Sequence, residues 1–163
     1  MDSLGDPITV AVALGSNLGD RRAHLDFAVS RLESLLRHLR VSSYRETDPI
    51  GVPDAQPQFL NAAAVGETRV GPRVLLDALL AIERDRRRER PFPGAARTLD
   101  LDLILHGPTI VAEPDLIVPH PRFRDRLFVL EPLAEIAPDL VDPVTGRTVE
   151  ELRQAFRPGS RRA

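Results

Sequence analysis

The stretch RTLDLDLIL, residues 97–105, sets two carboxylates, Asp100 and Asp102, among leucines in an otherwise apolar run. Side chains alternate between the two faces of a strand. Leu99, Leu101, Leu103 and Leu105 therefore share one face, toward helices, and Asp100 and Asp102 share the other. Their Cα atoms stand roughly 6.5–7 Å apart. Two ionised carboxylates at that spacing repel unless they are solvated, paired with arginine or bound to a cation. Hard oxygen ligands in this arrangement suit Mg²⁺, and with two ions the pair can clamp a transferring phosphoryl group. A lone D-x-D, however, is more often a plain polar strand face.

The surroundings raise the chemical reading. The preceding segment, RRRERPFPGAA (residues 86–96), brings Arg86, Arg87, Arg88 and Arg90 up to Arg97. Such a run is ordinarily a solvated surface, yet acids for metal beside arginines for phosphate are what nucleotide chemistry requires. Downstream, VPHPRFRDRLF adds His120, Arg122, Arg124, Arg126 and Phe128 in a proline-stiffened loop. A single histidine is usually structural; among these arginines it is a credible nucleotide contact. In QPQFLNAA, Phe59 reads by default as core. Asn61 beside an aromatic ring can instead read the edge of a flat heterocycle while rings stack on its faces.

Composition narrows the classes. The 163 residues carry a formal net charge of -2, which implies no bulk attraction to nucleic acid or membrane. No apolar run approaches the ~20 residues of a membrane span, and the N-terminus lacks the basic segment of a signal peptide. There are no cysteines, which excludes disulfides, thiolate metal sites and a cysteine nucleophile. All 22 basic residues are arginine. The absence of lysine removes a Walker A lysine and Schiff-base chemistry, so phosphate must be met by arginine, histidine, metal and backbone N–H groups.

Periodicity supplies the element order. Ile8–Leu14 is a buried strand, followed by the GSNLGD turn and a helix over roughly Arg21–Leu39 with Asp20 as N-cap. Val41–Glu46 and Phe59–Val65 read as strands on either side of a Pro/Gly/Asp-rich loop, residues 47–57. Pro72 opens a helix running to about Arg86. After the DLDL strand, Gly107-Pro108 suggests a turn with residues 109–112 returning. Leu127–Ile136 and Val149–Phe156 read as short helices. This β-α-β-β-α-β order suggests an α+β ferredoxin-like sandwich, a mainly antiparallel sheet with helices packed on it. A small doubly wound parallel sheet is the alternative; GSNLG after a strand would suit it, but the pattern is not GxGxxG. Gly15 and Gly19 are expected to permit the tight strand-to-helix turn. One domain spanning 1–163 is expected, with its core at about 8–157 and flexible ends.

Four segments together, ALGSNLGD (residues 13–20), DPIGVPDAQPQFLNAA (48–63), ARTLDLDLIL (96–105) and VPHPRFRDRLFVLEPL (118–133), closely resemble the 6-hydroxymethyl-7,8-dihydropterin pyrophosphokinase family. The resemblance runs from about Val10 to Leu140. It implies the ferredoxin-like fold and transfer of the β,γ-pyrophosphoryl group of ATP to the pterin hydroxymethyl group, releasing AMP in folate biosynthesis. It implies two Mg²⁺ ions on Asp100 and Asp102, and a pterin pocket from Thr47, Ile50, Phe59 and Asn61, with Phe128 as second stacking ring. Arg97 and Arg88 join the acids as catalytic residues. Glu83, Arg90, Arg97, His120 and Arg126 face ATP. The resemblance also implies closure of the loop around residues 86–96 over ATP. Four features depart from the family pattern: Arg87-Arg88 stands where a Gly-Arg pair often follows the helix acid, the loop is a little short, no tryptophan stands in it, and Leu80 replaces a polar residue one turn before Glu83.

The expected molecule is a cytoplasmic monomer acting on small molecules, with neither nucleic-acid nor membrane partners. At this length no fusion to a second folate enzyme is expected. The competing readings are a non-catalytic pterin- or nucleotide-binding module on the same fold, and an ATP-dependent transferase for another heterocycle.

Overall fold

The computed structural model describes residues 5–47, 58–88 and 99–157. Among them the central sheet has five strands: β1 (Ile8–Ser16), β2 (Arg37–Val41), β3 (Arg45–Thr47), β4 (Phe59–Thr68) and β5 (Asp100–His106). Its order is β2-β4-β1-β5, with β3 also pairing along β4. Every pair in it is antiparallel, so the doubly wound parallel alternative is wrong. β2 and β3 form one interrupted edge of β4. At the break, Ser42 N–H donates to the Ala63 carbonyl at 2.9 Å, and Ser42 Oγ accepts from Ala63 N–H at 2.9 Å.

Alternation gives each face its own partner layer. Val10, Val12, Leu14, Leu60, Ala62, Leu101 and Leu103 face the helices α1 (Arg21–Leu35) and α2 (Pro72–Arg88), burying Leu25, Leu32, Leu75 and Leu79. Ala11, Ala13, Ala63, Val65 and Ile104 face α3 (Leu127–Ile136) and α4 (Val149–Ala155), burying Val129, Leu130, Leu133 and Leu152. Fully burying one such leucine contributes about 2 kcal/mol. The register between β1 and β5 shifts at Ala11/Val12, a bulge that turns Leu105 to the α3 side. The expectation that Leu105 shares the face of Leu99, Leu101 and Leu103 therefore fails at its last member.

The signals expected at the starts of α1 and α2 act there, and α4 has one that the sequence reading did not name. The Asp20 side chain caps α1 by accepting from Ala23 N–H at 3.1 Å. Pro72 stands in the first turn of α2. Thr148 and Glu151 form a reciprocal capping box on α4.

Three boundaries differ. α1 ends at Leu35 rather than near Leu39, and the chain is already strand at Arg37. Leu36 and Leu39 prolong the apolar period because both still serve the α1–α2 core, from a strand rather than a helix. Leu36 packs against Gly66, where an added Cβ would come within 2.8 Å of the leucine Cβ. The 41–46 strand is really two, β2 and β3, split at residues 42–44. The segment after Gly107 does not return along β5. Instead β6 (Val111–Glu113) pairs with β7 (Leu116–Val118) in a separate two-stranded sheet.

Candidate active site

On the α3–α4 side of the sheet the described apolar core ends at Ala13 and Ala63. Beyond them the register lines up Asn61 of β4, Gly15 of β1 and Asp100 of β5 as direct partners across three strands. The next row is Ala63, Ala13 and Asp102. Directly paired residues project to the same side, so Asn61 and both acids share a face, separated only by glycine and alanine. Asp100 and Asp102 are half-buried, while the leucines between and after them are buried on the helix side. The RTLDLDLIL pattern thus folds as its alternation dictates.

Gly15 lies inside β1, not in the turn. A Cβ there would stand 3.2 Å from Asn61 Oδ1. Its role is to leave room for the amide, which corrects the expectation of a turn glycine. Gly19, with φ 68°, does occupy the left-handed region of the turn before α1.

Asn61 is 6% exposed and its Nδ2 donates to Thr47 Oγ1 at 2.6 Å. Thr47 pairs with Phe59 in the register, so both project to the Asn61 side, each half-buried. Arg45 pairs with Asn61 and shares that face, a residue passed over in the sequence. Its guanidinium is 2.9 Å from Glu135 Oε1, and Glu135 also accepts from Ser43 N–H and Oγ–H. These bonds hold Glu135's carboxyl below its usual range, the Arg45 bond being the largest cause. The two-residue spacing from Thr47 was the available signal for Arg45. Arg21, also passed over, donates to the Gln58 carbonyl and to Glu46, both at 2.8 Å, tying α1 to both sides of the 48–57 segment.

Phe128 opens α3 half-buried, with the Arg126 guanidinium 5.7 Å from its ring centre. His120 N–H donates to the Ile104 carbonyl at 2.9 Å, which anchors the loop to β5 two residues beyond Asp102. Arg122 N–H donates to His120 Nδ1 at 3.1 Å. That bond leaves the ring proton on Nε2. Burial lowers the His120 pKa, Arg126 and Arg122 push the same way, and Asp102 opposes them. The imidazole is therefore held in its neutral form, with the proton on Nε2. Arg124 is drawn away from this group; it pairs with Asp142 at 2.6 Å.

Glu83, 9% exposed on α2, accepts from Leu101 N–H at 2.6 Å. It binds the backbone between the two acids. Arg88 ends α2, and Ile50, Arg90 and Arg97 lie outside the described residues, as does most of the loop expected to close over ATP. Among the described residues no three carboxylate or imidazole side chains cluster as a ready-made metal cage. Two carboxylates on one face still fit Mg²⁺, which commonly takes one or two protein carboxylates and completes its octahedron with water and substrate phosphates.

A family model described as 7,8-dihydro-6-hydroxymethylpterin-pyrophosphokinase (HPPK) matches residues 11–138. The 2-amino-4-hydroxy-6-hydroxymethyldihydropteridine pyrophosphokinase of Pseudomonas aeruginosa is 45% identical over 148 residues, covering 90% of this chain and 90% of its own. The Bacillus subtilis protein of the same name is 42% identical over 142 residues, covering 86% and 84%. In fold, the chain is similar to the crystal structure of wild-type Plasmodium falciparum HPPK-DHPS, with a TM-score of 0.75 at 14% identity. That match covers 94% of this chain and 45% of the larger one.

Proposed function

The chain belongs to the 7,8-dihydro-6-hydroxymethylpterin-pyrophosphokinase family, and we propose how its pyrophosphoryl transfer is divided among the residues of this sheet face. The enzyme moves a pyrophosphoryl group to 6-hydroxymethyl-7,8-dihydropterin, a step of folate biosynthesis. No helix among the described residues is long and apolar enough to cross a membrane.

The row Asn61–Gly15–Asp100 carries the reading. Two strand spacings, about 10 Å, separate an amide suited to a heterocycle edge from a carboxylate suited to a metal-bound triphosphate. A bicyclic pterin with its hydroxymethyl arm bridges such a gap. Thr47 and Asn61 bond the ring edge, Phe59 and Phe128 stack on its faces, and Ile50 completes the pocket. ATP is the donor. His120 Nε2–H and Arg126 meet its phosphates, with Arg88, Arg90 and Arg97 contributing from the basic segment.

The pterin hydroxyl attacks the β-phosphorus; the new O–P bond forms as the bond to the α-phosphate bridging oxygen breaks, and AMP leaves. The hydroxyl proton passes to solvent, with no protein base required. Asp100 and Asp102 would hold Mg²⁺, two ions by the family resemblance, which would supply charge neutralisation for the transferring phosphates. Glu83 acts through the Leu101 backbone, fixing the strand that carries both acids. We further read the sheet with helices on both faces as a ferredoxin-like sandwich, working as one domain.

The deciding experiment is AMP release from ATP and Mg²⁺, with and without 6-hydroxymethyl-7,8-dihydropterin, beside Asp102→Asn. Pterin-dependent AMP that vanishes in the variant supports the assignment. AMP formation unchanged by Asp102→Asn removes the acid pair from the chemistry.

A further inference from the structure

The loop holding His120 and Arg126 is braced from an unexpected direction. Between these residues lies a 3-10 turn, Phe123–Asp125. Its Arg124 makes a two-pronged bond to Asp142, Nε to Oδ2 at 2.6 Å and a terminal nitrogen to Oδ1 at 2.9 Å. The Asp142 side chain has no solvent exposure. Two more donors reach it, Val144 N–H at 3.0 Å and the Thr145 hydroxyl at 2.7 Å. Asp142 backbone bonds close the surrounding loop: its N–H donates to the Arg147 carbonyl and its carbonyl accepts from Gly146 N–H, each at 2.8 Å. The carboxylate is thus saturated and rigidly mounted, and Phe123 beside Arg124 is fully buried. Satisfied buried charge of this kind specifies geometry more than it adds stability.

We propose that the Arg124–Asp142 pair is a positioning device for the nucleotide side of the site, holding the 120–126 loop so that His120 and Arg126 stand at the triphosphate. It rests on the functional reading above for the identity of that ligand. Neither residue touches substrate. The pair acts from the other end of the loop, opposite the anchor from His120 N–H to Ile104.

The test uses Arg124→Leu, Arg124→Lys and Asp142→Asn in the full chain. A non-hydrolysable ATP analogue with Mg²⁺ and the pterin are each titrated calorimetrically. The His120 ring tautomer is read by long-range proton–nitrogen NMR in the free protein at pH 8. The expected result for Arg124→Leu is a loss of about ten-fold or more in analogue affinity, a pterin affinity within about two-fold, and a His120 that no longer shows the pure Nε2–H form. Arg124→Lys, which keeps the charge but not the fork, falls between. Arg124 variants leave Asp142 its Val144 and Thr145 donors, so they report even where Asp142→Asn fails to fold. Parallel loss of both affinities, or a lowered melting temperature with both affinities intact, overturns the proposal and leaves a structural brace. A wild-type chain that binds no analogue overturns the functional reading instead, and the tautomer signature then decides whether the pair orients the loop.

Discussion

Gly15 and Asn61 face one another across β1 and β4, and a single added carbon on Gly15 would stand 3.2 Å from the asparagine carbonyl oxygen. That is a few tenths of an ångström inside ordinary contact, so the amide must yield. Asn61 is already held by Thr47 and has little freedom. Gly15→Ala is expected to raise the pterin Kd roughly five-fold, about the worth of one hydrogen bond. Nucleotide affinity and melting temperature should stay near wild type. Equal weakening of both ligands would show that the effect spreads through the sheet rather than through Asn61.

Glu83 tests the difference between contacting ATP and holding a strand. Its carboxylate accepts from Leu101 N–H. Glu83→Gln retains an oxygen acceptor, so it should keep most activity and stability. Glu83→Ala leaves a buried N–H unmet and should cost about 1–3 kcal/mol of unfolding free energy, with kcat reduced as the acids lose their alignment. Denaturant titration and steady-state kinetics separate the two. A Gln variant as impaired as the Ala variant would point to a requirement for the negative charge itself.

His120 offers a prediction in pH. Burial and two arginines hold its pKa below the ordinary imidazole value against the pull of Asp102. On the proposed reading a neutral Nε2–H donor meets phosphate at pH 7, and kcat/KM for ATP should show no inflection near the ordinary imidazole value of about 6.5. His120→Asn keeps an N–H donor and should raise the ATP KM only about three-fold, against about ten-fold for His120→Ala. Equal losses in the two variants would remove the donor role.

Much of this site was legible because strand alternation is a local code. Asp100 and Asp102 declare their shared face by period two, and Asn61 and Phe59 do the same in QFLNAA. Period alone did not reveal what lies across the chain. Leu36 and Leu39 continue a helical spacing, yet β4 claims the segment around Leu39 for a strand by pairing Arg37 with Glu67 and Arg40 with Val65. β6 carries no sign that it pairs forward with β7 rather than back along β5. Arg124 looked equivalent to Arg126 within VPHPRFRDRLF; only the fold brings Asp142 beside one and not the other. Charge identity is written locally, whereas a charge's partner is fixed by topology.

Asp142 also predicts acid sensitivity. Burial alone would raise its pKa, but the bonds from Arg124, Thr145 and Val144 outweigh that and lower it. A carboxylate with a folded pKa below its unfolded value contributes stability above the unfolded pKa, near 4. That contribution is lost as pH falls through the lower folded value. At pH 7, Asp142→Asn should cost about 3 kcal/mol, because it leaves Arg124 without its buried partner. The gap between wild type and variant should be full at pH 6 and shrink steadily below about pH 4. Melting curves from pH 6 to pH 2 measure it directly. A gap that stays constant across that range would mean that the carboxylate's charge contributes nothing, and that shape alone holds the 141–148 loop against the 3-10 turn.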